Sequence, residues 1–473
     1  MGQTGGRLPN TLLSHFMDRA QLSNAQLAQA VTAGARAAGH RHINPDESRV
    51  RRWRAGECPR PPVPLLIAQV LGARLALPLT PADVGLPGPQ QLPGHGADLP
   101  WQPASTIAAI AALTRSDLML PHTRTSHDAA QIHSADALLE PLRRWPSAKP
   151  ATLPNTTARP GMLGTAQVES IEALTAAFRD ADNQHGGVLS RRAVVAQMSE
   201  INDLLATASY TEATGRRLFR AVADLGSVAG WMSFDAGAHV SAQRLFVTAV
   251  HAASEGGDRQ LGAHILQCMA RQMSHLGYVE DALELVALAQ YGARRHAGPG
   301  TRAILAALHS RFSAMRGDLE ESQRAAGEAE DAFARIRPDD EPPHTAFFDE
   351  AELCATLGVA HQIAAKHASG PHRTQRADQS LTLLNNALRL RPAGRVRSRA
   401  FDHIGLARTH LAVGELAGAC QEATTALTIA EGLHSTRIAD RLSELHEETE
   451  PHAASGDICA LRERLEDAVS TAR

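Results

Sequence analysis

The sequence predicts an all-α protein: a small basic helical domain at the N-terminus, then a long array of helical hairpins. Three observations carry this. Alanine recurs in almost every block of ten residues while aromatic residues make up only 4% of the chain, and alanine suits closely packed helices better than a sheet core. No run alternates apolar and polar β-branched residues as a half-buried strand would. Gly237, Gly277 and Gly317 stand 40 residues apart, each followed by a small residue (Ala242, Ala282, Ser322) and then by alanine (Ala249, Ala289, Ala329). With 473 residues and 43% apolar content, the chain can pack two or three domains.

In the N-terminal part, Leu12, Leu13, Phe16 and Ala20 lie at helical spacing. A second helix begins after Ser23 or Asn24 and turns Leu27, Ala28 and Val31 inward. A third runs from about Asp46 to Arg54. Asp46 or Ser48 can cap it, because their side-chain oxygens accept from the free N–H groups of a first turn. Gly56 ends it, and Pro59, Pro61 and Pro62 keep it from restarting. Val50 and Trp53 share one face of this helix, with Trp53 expected in the core, while Arg49, Arg52 and Arg54 point elsewhere. Pro64–Leu75 is a further apolar helix, and Thr80–Leu86 closes the unit. Residues 1–86 contain ten arginines, no lysine and five acids, a charge of +5; the whole chain is −3, which leaves −8 for residues 87–473. A basic head on an acidic body is the charge pattern of a nucleic-acid reader.

Helix, link, second helix, loop, arginine-bearing third helix and bracing helix describe a helix-turn-helix domain. The segments LSNAQLAQAV, VRRWRAGECPRPPVP, LIAQVLGARL and TPADVGL resemble the N-terminal, lambda-repressor-like domain of actinobacterial (Streptomyces-type) helix-turn-helix transcriptional regulators. In those proteins a C-terminal tetratricopeptide-repeat-like array follows. The resemblance covers nearly the whole chain, including FRDADNQHGG (178–187) and residues 210–237. It implies a transcriptional regulator that binds double-stranded DNA, with roles in differentiation or secondary metabolism. On that reading the third helix enters the major groove. Ser48, Arg49 and Arg52 reach base edges from its first turns, while Arg41, Arg51, Arg54 and Arg60 meet phosphates. One departure stands out. Thr32–Asn44 separates the second and third helices, where about four residues are usual. Either the second helix runs longer, or a loop bearing Arg36 and Arg41 follows the DNA backbone.

Residues 87–164 read as a Pro/Gly-rich linker with short helices at Ile107–Leu113 and Ala135–Trp145, a flexible connection. Residues 165–473 are helical almost throughout. Val168–Arg179, Arg191–Ala208 and Gly215–Ala229 precede the repeats. The pattern returns at Gly414, Ala419 and Ala426, and a degenerate copy lies at Ser380, Ala387 and Pro392 after a helix near Ala351–Lys366. A turn glycine joins two helices, and small residues let the pair close and the next hairpin stack upon it. This resembles the tetratricopeptide repeat, although its period is usually about 34 residues. Counted in that register, Trp231, Asp235, His264, Gln267, Arg271, Ser274, His275, Arg311 and Arg408 face the concave side. Arginines there can clamp a peptide or another anionic ligand, or be ordinary exposed arginines. Leu305, Leu308 and Phe312 suggest a one-residue shift that turns Arg311 away.

Enzyme readings fail on inventory. Neither lysine, Lys149 or Lys366, follows a glycine as a phosphate-binding loop requires, and His446–Glu447 is not continued as HExxH. Gly298–Ala303 matches a dinucleotide loop in form but reads as an inter-repeat turn. His361 with His367, or His122 with His127, could meet on a metal, but read as solvated or packed. The five cysteines are single and expected reduced and mostly buried. No signal peptide or membrane span of about twenty apolar residues is evident. The expectation is therefore a cytoplasmic regulator without cofactor or metal, not an enzyme and without membrane contact. Its repeat domain would form a homodimer, sense a peptide, small-molecule or protein ligand, or do both. The alternative is a repeat-type interaction scaffold whose N-terminal domain does not read DNA.

Overall fold

The computed structural model describes residues 9–37, 43–60, 62–75, 77, 79, 81–86, 99–119, 132–153, 162–185, 191–433 and 435–472; among them there are helices, turns and no strands. The chain separates into two compact units, residues 1–95 and residues 96–473 save for 119–121.

The N-terminal unit holds α1 (Thr11–Arg19), α2 (Asn24–Ala37), α3 (Glu47–Arg54) and α4 (Val63–Leu75). Asn10 starts α1: its Oδ1 accepts from the Leu13 N–H at 2.9 Å, while its Nδ2 donates to the carbonyls of Val84 and Gly85. One side chain thus caps a helix and ties the two ends of the unit together. Ser23 and Gln26 bond each other's backbone N–H at the start of α2, a reciprocal cap. Asp46, not Ser48, caps α3, accepting from the Arg49 N–H at 2.8 Å. Gly56 follows at φ +95°, a left-handed position that favours glycine. Phe16, Leu27, Val31, Val50, Trp53, Ile67 and Leu71 form the core. Of the two alternatives for the long link, α2 does run on, to Ala37. Arg41 lies outside the described residues.

The second unit begins earlier than residue 165. In α5 (Pro103–Met119) Ile110 is fully buried, and in α6 (Asp136–Leu142) Leu138, Leu139 and Leu142 belong to the same core as the repeats. Trp101 stacks on His251 with ring centroids 3.7 Å apart. Trp145 is fully buried, pressed so closely on Gly262 and Gly292 that a Cβ at either would lie within 2.6 Å of the indole. Arg259 donates to the carbonyls of Trp145 and Ala148. The described parts of the expected linker are therefore packed segments of the second unit, not a flexible connection.

Next come α7 (Thr165–His185), α8 (Arg191–Thr207), α9 (Glu212–Asp235), α10 (His239–Glu255), α11 (Arg259–His275), α12 (Val279–Ala293), α13 (Pro299–Arg316), α14 (Leu319–Phe333), α15 (Glu350–His367), α16 (Gly370–Leu390), α17 (Val396–Ala412), α18 (Leu416–Ala430), α19 (Thr436–Glu448) and α20 (Gly456–Ala472). From α9 onward they pack in antiparallel pairs and stack in a solenoid-like arrangement. Gly237, Gly277, Gly317 and Gly414 each sit between the two helices of a pair with φ from +77° to +88°, where an L side chain is strained. The small residues five and twelve positions on are buried, and those of the degenerate copy, Ser380 and Ala387, are buried too. Gly298 opens α13 as its N-cap, so the glycine-containing loop there is an inter-helix turn. No helix among the described residues is long and apolar enough to cross a membrane.

The array curls until its later helices meet its early ones. Asp235, at the end of α9 and fully buried, accepts from Arg397 of α17 (2.8 Å), from Ser435 (2.9 Å) and from Arg437 of α19 (3.4 Å). Arg397 also donates to Asp182 of α7 at 3.0 Å. His275 of α11 meets Asp440 of α19 at 3.0 Å.

Candidate functional site

Two surfaces stand out, one in each unit. On α3, burial of Val50 and Trp53 forces the opposite face outward. Ser48, Arg49, Arg51 and Arg52 are exposed there, and Arg60 is exposed just beyond. Arg51 lies 3.3 Å from Glu47 and Arg52 3.9 Å from Glu57. Exposed pairs of this kind are weak, so both guanidinium groups remain open to a partner. Arg54 differs from expectation. It is half-buried, its Nε donating to Ser14 Oγ at 3.1 Å and its Nη1 to Asn24 Oδ1 at 3.2 Å. Arg54 binds α3 to α1 and α2, and its guanidinium is already engaged.

The second surface is a cavity of about 540 Å³ inside the curled array. It is bounded by α7, α9, α11, α13, α15, α17 and α19, the inner helix of each layer. Trp231, His264, Gln267, Arg271, Ser274, His275, Arg311 and Arg408 all line it, so the register counted from the repeats finds its wall. Asp235 is the exception: it is locked in the contact that closes the ring. The expected shift at Arg311 does not occur. Leu305, Leu308 and Phe312 are buried, yet Arg311 still reaches the cavity, because α13 is buried around most of its circumference and has no single apolar face.

Sequence reasoning missed much of the opposite wall: Phe347, Glu352, Arg391, Arg397, Phe401, Asp402, Arg437, Arg441 and Glu444. A signal existed for α19, where Ile438, Leu442 and Leu445 form one stripe and Arg437, Arg441, Glu444 and Glu448 another.

Most charges in this wall are matched. Arg391 donates to Asp402 (2.5 Å) and Glu352 (3.0 Å). Arg408 donates to Glu444 (2.9 Å) and Glu448 (3.0 Å), Arg441 bonds Glu444 at 2.6 Å, and Lys366 pairs with Glu448. Arg437 adds to its Asp235 contact the faces of Trp231, Phe234 and Phe401, at 4.7–5.1 Å. Two guanidinium groups keep buried N–H donors without acceptors. Arg271 has one long contact to Glu352 (3.5 Å), and its Nε and Nη2 are buried without a hydrogen-bond partner. Arg311 has no ion pair, and its Nε is likewise buried and unpartnered. Burial, with the charges of Arg441, Arg271 and Arg437, lowers the Arg311 pKa to about 9. Burial would raise the Glu352 carboxyl, but Arg391 and Arg271 outweigh it and its pKa is lowered.

The histidines of the wall favour the neutral form. His264 is pushed well below its ordinary value by burial and by His344 and nearby arginines, and its ring lies 5.1 Å from that of His344. Burial also lowers His275, more than Asp440 restores it. Cys268 is buried, its thiol pushed up to about 12 by burial, which suits an inert thiol. Cys354 and Cys420 are half-buried, while Cys58 and Cys459 are exposed, contrary to the expectation of mostly buried cysteines; all five are free. His361 is buried and faces Arg376 at 3.3 Å; His122 and His127 lie outside the described residues.

A family model described as the SP15 N-terminal domain matches residues 13–87, so the N-terminal unit is similar to that domain. No match to a curated protein was found for the chain.

Proposed function

We propose that the protein is a DNA-binding transcriptional regulator. Its N-terminal unit would act as a helix-turn-helix domain with α3 in the major groove, and its tetratricopeptide-repeat-like array would dimerise and sense a ligand. The observation that carries the DNA reading is the division of α3. Val50 and Trp53 anchor it in a core, while Ser48, Arg49, Arg51 and Arg52 project together from its solvent face. Arginine is the commonest reader of guanine edges, and a helix of this size fits the major groove. Arg60 and, through its exposed position, Arg51 suit phosphate contacts. Arg54 serves instead to fix the helix that presents them. A single small unit makes few base contacts, so two copies on a two-fold site are expected to supply useful selectivity.

The test is binding of the full-length chain and its Arg52→Ala variant to genomic DNA fragments across a salt series. The proposal expects selective binding that weakens as salt rises, because phosphate contacts release counterions. Arg52→Ala should cost about 1–3 kcal/mol at a cognate site, the usual value of a good base contact, and relax selectivity. Unchanged affinity in a folded variant would remove Arg52 from the interface.

A further inference from the structure

We infer that the cavity of the repeat array receives a small organic anion, a carboxylate or phosphate ester on a compact apolar body, with its charged group held between Arg271 and Arg311. This rests on the ligand-sensing part of the proposal above and names the chemistry of the ligand.

The 40-residue period sets the site out. Trp231, Arg271 and Arg311 occupy the same position in three successive pairs, on α9, α11 and α13. That row places an aromatic ring and two guanidinium groups side by side on neighbouring inner helices, with Arg271 6.0 Å from the Trp231 ring centre and 5.8 Å from that of Phe347.

The row is also where the charge of the wall does not balance. Elsewhere in the wall Arg391, Arg397 and Arg408 each bond two carboxylates, and Arg437 has Asp235 and three aromatic faces. Here the protein leaves buried N–H donors on Arg271 and Arg311 without acceptors. A buried charge without an ion pair, as at Arg311, is costly, as are the buried N–H groups that Arg271 leaves unbonded beside its one contact to Glu352; arginine does not relieve the cost by giving up its proton near neutral pH. Two adjacent forks of unused N–H donors match a planar carboxylate or a phosphate, either of which accepts paired hydrogen bonds from a guanidinium.

Size and surroundings define the rest of the molecule. Met315, Val359, Ile363 and Phe347 supply apolar wall beside the charged row. About 540 Å³ falls within the common range of about 300–1,000 Å³ for small-molecule sites. The contacts of Asp235 and Arg397 close the ring around this space. A folded partner would have to break them to enter; a small anion would not.

The test is isothermal titration of the full-length chain with three probes sharing one apolar body: 1-naphthoate, 1-naphthyl phosphate and the neutral 1-naphthol. The inference expects one site per chain for at least one acid, at least tenfold tighter than for naphthol. Arg311→Met, with Arg271→Met as a second variant, should abolish that preference. Arg311→Met should also raise the melting temperature of the ligand-free protein, since it removes a buried charge at similar volume. Stronger binding of naphthoate identifies a carboxylate ligand, and stronger binding of naphthyl phosphate a phosphate ester. If naphthol binds as tightly as the acids and both variants bind alike, the anion inference is overturned while a ligand cavity stands. Binding by none of the three probes overturns both the inference and the ligand-sensing reading.

Discussion

The N-terminal unit turns Arg49, Arg51, Arg52 and Arg60 to solvent on and beside one helix, with at most a weak acidic neighbour each. The repeat array draws Arg391, Arg397 and Arg437 inward among carboxylates and aromatic rings. The residue type is the same, so sequence composition cannot separate the two uses. What separates them is the dielectric setting. An exposed guanidinium is screened and free to exchange water for a phosphate, whereas a buried one must be paired and then holds helices together. Arg54 shows that the boundary can fall within a single helix, since it sits on α3 yet is used as the inner arginines are.

The comparison predicts different losses from single substitutions. The largest belongs to Asp235→Ala, which leaves Arg397 and Arg437 buried beside a vacated position; breaking a buried pair in this way costs about 3–5 kcal/mol. Urea unfolding of the full chain should register it, and a loss below about 1 kcal/mol would show the ring closure to be energetically minor.

Acid should act on the array next. Burial against Trp101 lowers His251 to about 3, below its unfolded value, so the unfolded chain binds more protons between those values. The stabilisation is complete above about pH 6.5 and is lost as pH falls toward 3, with about 2 kcal/mol gone by pH 5. Melting curves from pH 7 to 5 should fall, and His251→Phe should flatten them.

Within α3, Arg54→Ala should destabilise the N-terminal unit by about 1.5 kcal/mol through its two lost hydrogen bonds. Arg52→Ala should change stability by less than about 0.5 kcal/mol, whatever it does to DNA affinity. Hydrogen exchange of α1–α3 amides would separate these two arginines. Equal protection loss in both variants would mean that Arg52 and Arg54 contribute alike to the packing of α3.

Much of this was legible in the residues. The turns at Gly237, Gly277, Gly317 and Gly414 could be read because a left-handed position leaves a glycine in the sequence. The near wall of the cavity could be read because a fixed period carries a known register from one pair to the next. The far wall could not. The long link between α14 and α15 breaks the 40-residue count, and no left-handed glycine stands between α19 and α20. The packing of residues 99–153 was also hidden. Trp145 is buried only because Gly262 and Gly292, far along the chain, leave room for its ring, and local composition contains no trace of that fit. The Pro- and Gly-rich look of the stretch described its turns correctly and its burial not at all.

Ring closure at Asp235 also bears on how the array comes apart. An open stack of repeats behaves as a one-dimensional chain whose end units melt first and independently. Here a residue ending α9 is bonded to α17 and α19, so an early layer and a late one guard each other. Opening at one place releases a constraint at the other. The layers between them are thus expected to exchange their amide hydrogens in a single cooperative event, with no gradient running inward from either terminus.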